Sequence, residues 1–225
     1  MNARNLFPVL LICCGLCSLA QNPAESPLLN QNPTQDGFST HLAFQLTTPS
    51  GSHGKVTTGG GATLTVNYNI YLTDRWFFSP GIGAFYNTMG TDFVPSSDLV
   101  ADGTIKNWGG RIPVLMGYKF PVWEDFSIAV ATGPLLNISL YAKEQASPDF
   151  SEGYAEVPDA VNLFDHGFHH LDLQWDFFVG ISYKHHYCIG ISGGLGLTNV
   201  ASMRAGEHNL NLRRNNVAFI LSYTF

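Results

Sequence analysis

Residues 170–184 read HLDLQWDFFVGISYK, and the alternation within them decides the fold. Leu171, Leu173, Trp175, Phe177, Val179, Ile181 and Tyr183 share one face of an extended chain, while Asp172, Gln174, Asp176, Gly180 and Ser182 share the other. Successive side chains of a strand point to opposite faces, so a period of two predicts a strand with one apolar and one polar side. A helix would scatter both sets around its circumference.

The same pattern recurs on both sides of this stretch. Leu64, Val66, Tyr68, Ile70 and Leu72 oppose Thr63, Thr65, Asn67, Asn69 and Tyr71. Ile112, Val114, Met116, Tyr118 and Phe120 oppose Arg111, Pro113, Leu115, Gly117 and Lys119, and Val217, Phe219, Leu221, Tyr223 and Phe225 oppose Ala218, Ser222 and Thr224. Strands are predicted at 38–48, 62–73, 75–87, 108–120, 126–141, 170–184, 187–198 and 215–225. Each is near or above the ~9 to 11 residues that a tilted strand needs to cross a membrane, and their even number suits antiparallel closure.

The polar face carries mostly Asn, Thr, Ser, Gly and Gln, where a soluble sandwich would present Lys, Glu and Arg to water. Small neutral groups suit the lumen of a narrow eight-stranded barrel whose apolar face meets lipid. The connections agree. Residue 74, residues 121–125 and residues 185–186 make three short turns, alternating with long connections at 49–61, 88–107, 142–169 and 199–214. Short turns on the periplasmic side and long loops outside are expected of an outer-membrane barrel. Tyr71, Trp76, Trp108, Tyr141, Tyr183, Tyr187, Tyr223 and Phe225, near segment ends, suit aromatic girdles. The fold class predicted is all-β, an eight-stranded antiparallel up-and-down transmembrane β-barrel, as one domain over 38–225.

Composition fits this reading. Charged residues are 12% of the 225 against ~25% in an ordinary soluble domain, while hydrophobic residues reach 45% and aromatics 13%. That disfavours disorder and helical bundles. A net charge of −6 leaves no basic footprint for nucleic acid.

Residues 1–20 have the form of an export signal: Arg4, an apolar run over 6–17, then Ser18 and Ala20 before a cut expected after Ala20. Cys13, Cys14 and Cys17 would leave with it, so Cys188 alone remains and no internal disulfide is expected. Residues 21–37, rich in Pro, Asn and Gln, read as a flexible lead-in. No later stretch is apolar for the ~18 residues of a membrane helix, which leaves a periplasmic protein, a secreted one or an outer-membrane barrel; the alternation and the connection lengths favour the barrel, so the cell outer membrane is the expected location.

The last strand, 216–225, resembles the terminal signal by which the insertion machinery recognises outer-membrane barrels, with Phe219, Leu221, Tyr223 and Phe225 as the signal positions. The stretch from Arg111 to Phe120, followed by Ala131, Thr132, Gly133 and Pro134, and the stretch Gly193, Gly194, Leu195, Gly196, Leu197, Thr198, Asn199 resemble the PorT-like small outer-membrane β-barrel family. The resemblance spans roughly 38–225. It implies an eight-stranded outer-membrane protein in a family mostly without assigned chemistry, one branch of which assists protein secretion.

Candidate chemistry is sparse. Arg111, Lys119, Asp172 and Asp176 project into the lumen by parity and balance at two and two, which predicts a salt-bridge network rather than a wide pore. Cys188 has inward parity too. His166, His169 and His170 beside Asp165 could ligate a transition metal, but a solvated loop explains them as well. Ser52 and His53, with Asp92, Asp98 or Asp165, could serve a lipid hydrolase, although adjacent side chains diverge. The connection 142–169 carries Glu144, Asp149, Glu152, Glu156, Asp159 and Asp165 against Lys143, and reads as a solvated loop that could also meet a cationic partner or divalent ions on lipopolysaccharide. The expectation is a non-enzymatic envelope protein without cofactor or metal, and a monomer. Its partners would be outer-membrane lipid and lipopolysaccharide, the barrel-insertion machinery and a protein at the outward loops. A narrow solute channel and a lipid-modifying enzyme are the alternatives.

Overall fold

The computed structural model describes residues 36–51, 56–91, 103–146, 160–205 and 208–225, with the backbone alone for 146, 203–205 and 208–210. Eight long strands carry the architecture: β1 (Gly37–Gly51), β3 (Gly59–Tyr71), β4 (Trp76–Thr91), β5 (Gly103–Trp123), β6 (Phe126–Ala146), β8 (Leu171–Tyr183), β9 (Tyr187–Gly196) and β11 (His208–Thr224). Three short strands, β2 (Val56–Thr57), β7 (Val161–Asn162) and β10 (Ala201–Ala205), lie between them.

Each long strand pairs antiparallel with the next, and β11 pairs back onto β1 from Ser39↔Thr224 to Gly51↔Leu212, closing the ring. Closure leaves the eight long strands without an open edge in the membrane, as lipid demands. Among the described residues no helix is long and apolar enough to cross a membrane, so the crossing is made by strands. The register sorts the faces as the alternation predicts. Leu171, Val179 and Ile181 are 57%, 50% and 58% exposed on the outside, while Asp172 and Gln174 are fully buried within. A slip of one residue would reverse every side chain of a strand, so burial of one face fixes the register.

The three tight turns lie at one end. In the first, between Tyr71 and Trp76, the Thr73 hydroxyl accepts from the N–H groups of Arg75 (3.3 Å) and Trp76 (3.0 Å). The second is Glu124–Asp125, and the third, 184–186, holds Lys184 and His185 at φ of 49° and 60°. The start of β1 and the end of β11 are at this end too, which is therefore the periplasmic one.

At the other end the strands run further than hydrophobic alternation suggests. β4 continues to Thr91, β5 begins at Gly103, β6 reaches Ala146 and β11 begins at His208. The 21 residues of β5 span about 70 Å of chain, or about 50 Å of height at a tilt of about 40°, twice an apolar band of about 25 Å. The barrel wall thus projects past the membrane. Two expectations are corrected by this extension. Arg214, read as the end of a loop, lies on β11 facing inward, and Glu144, counted with the acidic loop, is a buried inward residue of β6. Tyr71, counted with the girdle, lines the lumen.

Candidate functional site: the filled lumen and its outer cap

The lumen is built from the inward positions of all eight long strands, and its upper part is a hydrogen-bonded layer centred on Asp172. Arg214 Nη2 donates to Asp172 Oδ2 at 2.6 Å, and the two residues are 1% and 0% exposed. The same oxygen accepts from Gln174 Nε2 at 2.7 Å and Asn137 Nδ2 at 3.3 Å, and Asn216 Nδ2 donates to Gln174 Oε1 at 2.8 Å. The Arg214 guanidinium lies over the Phe85 ring, 5.0 Å from its centroid. Four strands, β4, β6, β8 and β11, are thereby tied across the barrel's interior.

The other expected lumen charges sit below. Arg111, Asp176 and His41 line one cavity of about 40 Å³, into which Arg111 Nε and Asp176 Oδ1 bring polar atoms without a direct protein partner. The cavity has room for only a few waters. Lys119, further down, donates to the Tyr71 hydroxyl and lies 4.9 Å from that ring's centroid. It has no carboxylate partner among the described residues, where Arg214–Asp172 is the one ion pair. The predicted balance of two against two therefore changes: Arg214 and Glu144 join, giving three of each sign.

Phe178 fills the middle of the lumen. A Cβ on Gly190 would stand 2.5 Å from its Cε2, and one on Gly180 2.6 Å from its Cζ, so these two glycines make room for the ring. Beneath it a second cavity of about 50 Å³ is lined by His41, Tyr71, Lys119 and Cys188. A wider hollow of about 500 Å³ opens at the periplasmic end among Arg75, Lys119, Trp123, Glu124 and His185. There burial, then the Lys119 and His186 charges, hold the His185 imidazole below its ordinary value, with Asp125 opposing.

The outer mouth is closed by apolar packing. A 3₁₀ turn, Leu163–His166, ends at Gly167 with φ of 92°, and brings Leu163 and Phe168 against Met89, Ile105 and Ala142 from the inward faces of β4, β5 and β6. Val200, Ala201 and Leu212 complete the cluster, with Leu163 and Val200 fully buried. Backbone bonds knit it together: His169 N–H donates to Val200 O at 2.7 Å, Ser202 N–H to Gly167 O at 2.8 Å, and Ser139 N–H to His170 O at 2.7 Å. In the sequence Leu163, Phe168, Val200, Ala201 and Leu212 fall within the long connections 142–169 and 199–214 and carry no strand pattern of their own.

The exterior shows where the lipid lies. From Trp108 to Tyr118 the outward residues of β5 are Gly110, Ile112, Val114 and Met116, a rise of about 25 Å. Trp76 and Tyr118 pack edge to face at 5.0 Å at the periplasmic border, and Trp108 stacks on Tyr141 at 6.0 Å at the outer one. An apolar band of this height between aromatic rows, on a closed ring with a polar interior, has one solvent that fits it. The chain is an eight-stranded β-barrel of the outer membrane. No family profile matches its sequence, and no curated protein does. Among solved structures it is similar to Ail, the attachment invasion locus protein of Yersinia pestis, in complex with the heparin analogue sucrose octasulfate (13% identity over 85% of this chain and 99% of that one, TM-score 0.41). It is also similar to Neisserial surface protein A (11% identity, 85% and 99%, TM-score 0.41) and to the outer membrane protein OprG of Pseudomonas aeruginosa (12% identity, 87% and 99%, TM-score 0.43).

The histidines beside Asp165 are dispersed in the barrel's cap. His170 stacks on Phe164 at 3.9 Å with Nδ1 against Ser139 O at 2.9 Å, and His169 Nε2 meets Ser202 Oγ at 3.3 Å. No group of three metal-ligating side chains converges among the described residues. Ser52, His53, Asp92 and Asp98 lie outside the described residues, as do the export signal, most of the lead-in, and Asp149, Glu152, Glu156 and Asp159 of the acidic loop.

Proposed function

We propose that this barrel is a non-enzymatic envelope protein, a closed anchor whose outward end engages a partner. The observation that carries the reading is occlusion at two levels, the Arg214–Asp172 layer and the apolar cap above it. A solute channel would have to break both. The described outer end is ordered by its own packing and hydrogen bonds, which suits a recognition surface more than a pore rim. The PorT-like resemblance at 111–120, 131–134 and 193–199 supports a supporting role in secretion as the process served. Ring closure, which leaves the eight long strands no open edge at membrane depth, supports a monomer.

Photo-crosslinking in the native envelope tests this. A probe at exposed His169 of the cap is expected to capture a protein partner, and one at Glu124 of a periplasmic turn is not. Adducts from Glu124 alone, or none from His169, would contradict the outward reading.

The terminal strand is proposed as the signal for the insertion machinery. Phe225 packs edge-on to Tyr223 at 5.0 Å, its N–H donates to Phe38 O at 2.9 Å, and it stays 40% exposed. Its burial is worth at most about 1.5–3 kcal/mol, too little to hold a closed ring together. Deleting it is expected to lower the amount inserted in cells while protein refolded in detergent keeps nearly its full thermal stability. Unchanged insertion would refute the signal, and so would a barrel that no longer refolds.

A further inference from the structure

Outward of the Trp108–Tyr141 stack, the barrel wall carries an arrangement that β-sheets ordinarily avoid. Lys106 on β5 and Lys143 on β6 are direct cross-strand partners, both on the outer face. Directly opposed like charges destabilise an antiparallel pair. Among the described residues neither ammonium has a carboxylate partner, since the one ion pair lies inside the lumen. Lys106 Nζ donates to the neutral Gln145 Oε1 at 2.5 Å, and Lys143 Nζ lies 5.5 Å from the Tyr141 ring centroid.

The neighbours form two parallel rows across the wall. Tyr86, Trp108 and Tyr141 pair across β4, β5 and β6 as an aromatic row, and Thr88, Lys106, Lys143 and Asn162 pair as a polar row above it. The one described carboxylate beside this row, Asp165, accepts from Asn162 Nδ2 at 2.8 Å. A step of two residues along a tilted strand is about 5 Å, so the two ammonium groups stand at the height where outer-leaflet lipids carry their headgroups.

We infer that Lys106 and Lys143 form a binding site for the phosphorylated sugar headgroup of outer-leaflet lipopolysaccharide. A phosphate between the two ammonium groups converts their repulsion into two charge-assisted contacts, lysine serving as a point charge for phosphate. The acyl chains then descend over Tyr86, Trp108 and Tyr141 into the apolar band. The site needs only the barrel's place in the outer membrane and is independent of the partner role proposed above.

The test compares full-length protein, refolded in detergent, with the double variant Lys106→Gln/Lys143→Gln, titrating purified lipopolysaccharide and scoring the bound species by native mass spectrometry. At a contribution of about 1 kcal/mol per surface lysine, the double variant is expected to bind roughly 30-fold more weakly. Lys184→Gln, in a periplasmic turn, is expected to bind as the wild type does. Enzymatically dephosphorylated lipid A should lose the preference for wild type over variant, and inorganic phosphate at millimolar concentration should not compete, because it lacks the acyl chains. Three results would overturn the site: equal binding by the double variant, equal affinity for the dephosphorylated lipid, or binding abolished by EDTA, which would assign contact to divalent ions on acidic residues. Unchanged heat-modifiability of the variant on gels shows that the barrel itself is intact.

Discussion

Replacing Arg214 with methionine is expected to destabilise the refolded barrel by about 3–5 kcal/mol. The guanidinium is 1% exposed and is the cation facing Asp172, which is itself fully buried. Removing it leaves a carboxylate in the lumen with only the amide donors of Gln174 and Asn137. A charge left so deep without its counter-ion costs more than the pair contributes when intact, which is why the single variant is the severe one. The double variant Arg214→Met/Asp172→Leu should regain part of the loss. It should not regain all of it, because Gln174 and Asn137 then lose the oxygen to which they donate. Urea unfolding in detergent micelles, read by tryptophan fluorescence on the wild type, Arg214→Met, Asp172→Leu and the double variant, supplies the four free energies of the cycle. A loss below about 1 kcal/mol for Arg214→Met, or additive single and double variants, would mean that the layer does not hold the strands together.

Leu163→Asp is expected to release the cap and leave the barrel standing. The substitution forfeits about 1.5–3 kcal/mol of leucine burial and places a carboxylate among Met89, Ile105, Phe168 and Val200, a further cost of several kcal/mol. The segment that carries Leu163 is joined to the ring by the two-residue pairing of β7 with β6, the Phe168–Ala201 bridge and a few backbone bonds. Its undocking costs far less than opening the ring, so the cap yields first. Limited proteolysis by a protease that cuts after leucine and phenylalanine should leave 163–168 intact in the wild type and cleave it in the variant, with the heat-dependent gel shift retained in both. Rapid cleavage of the wild type would refute a docked cap. Loss of the gel shift in Leu163→Asp would refute its independence from the barrel.

How far the sequence reveals this molecule depends on which solvent each residue meets. Between Trp108 and Tyr118 lipid selects apolar residues on one face and the lumen selects small polar ones on the other, so alternation is strong and both register and inward parity can be read directly. Past Trp108 the outer face meets water. Thr88, Lys106 and Lys143 there look like loop residues although their backbones continue the ladder, and the charged pair Arg213 and Arg214 conceals a strand for the same reason. The irregularity in the β5–β6 pairing at Trp108/Gly109 adds a residue on β6, so Tyr141 and Lys143 face outward and Glu144 inward, a shift that counting by twos through Leu140 cannot supply. For the cap, Leu163, Phe164 and Phe168 were an available signal: three large apolar side chains within an otherwise acidic connection need somewhere to be buried. What they bury against lies on β4, β5 and β11, far away in the chain, and only closure of the ring brings those strands together. The Arg214–Asp172 pair is non-local in the same way, so parity could place Asp172 in the lumen without naming its partner.

Conductance tests the closed barrel most directly. Purified full-length protein, refolded and inserted into a planar bilayer, is expected to hold the membrane's baseline current across applied voltage, because the Asp172 layer and the Leu163 cap block the lumen and the cavities at its centre are about 40 and 50 Å³. Discrete, reproducible current steps from the wild type would contradict the account and make the chain a channel.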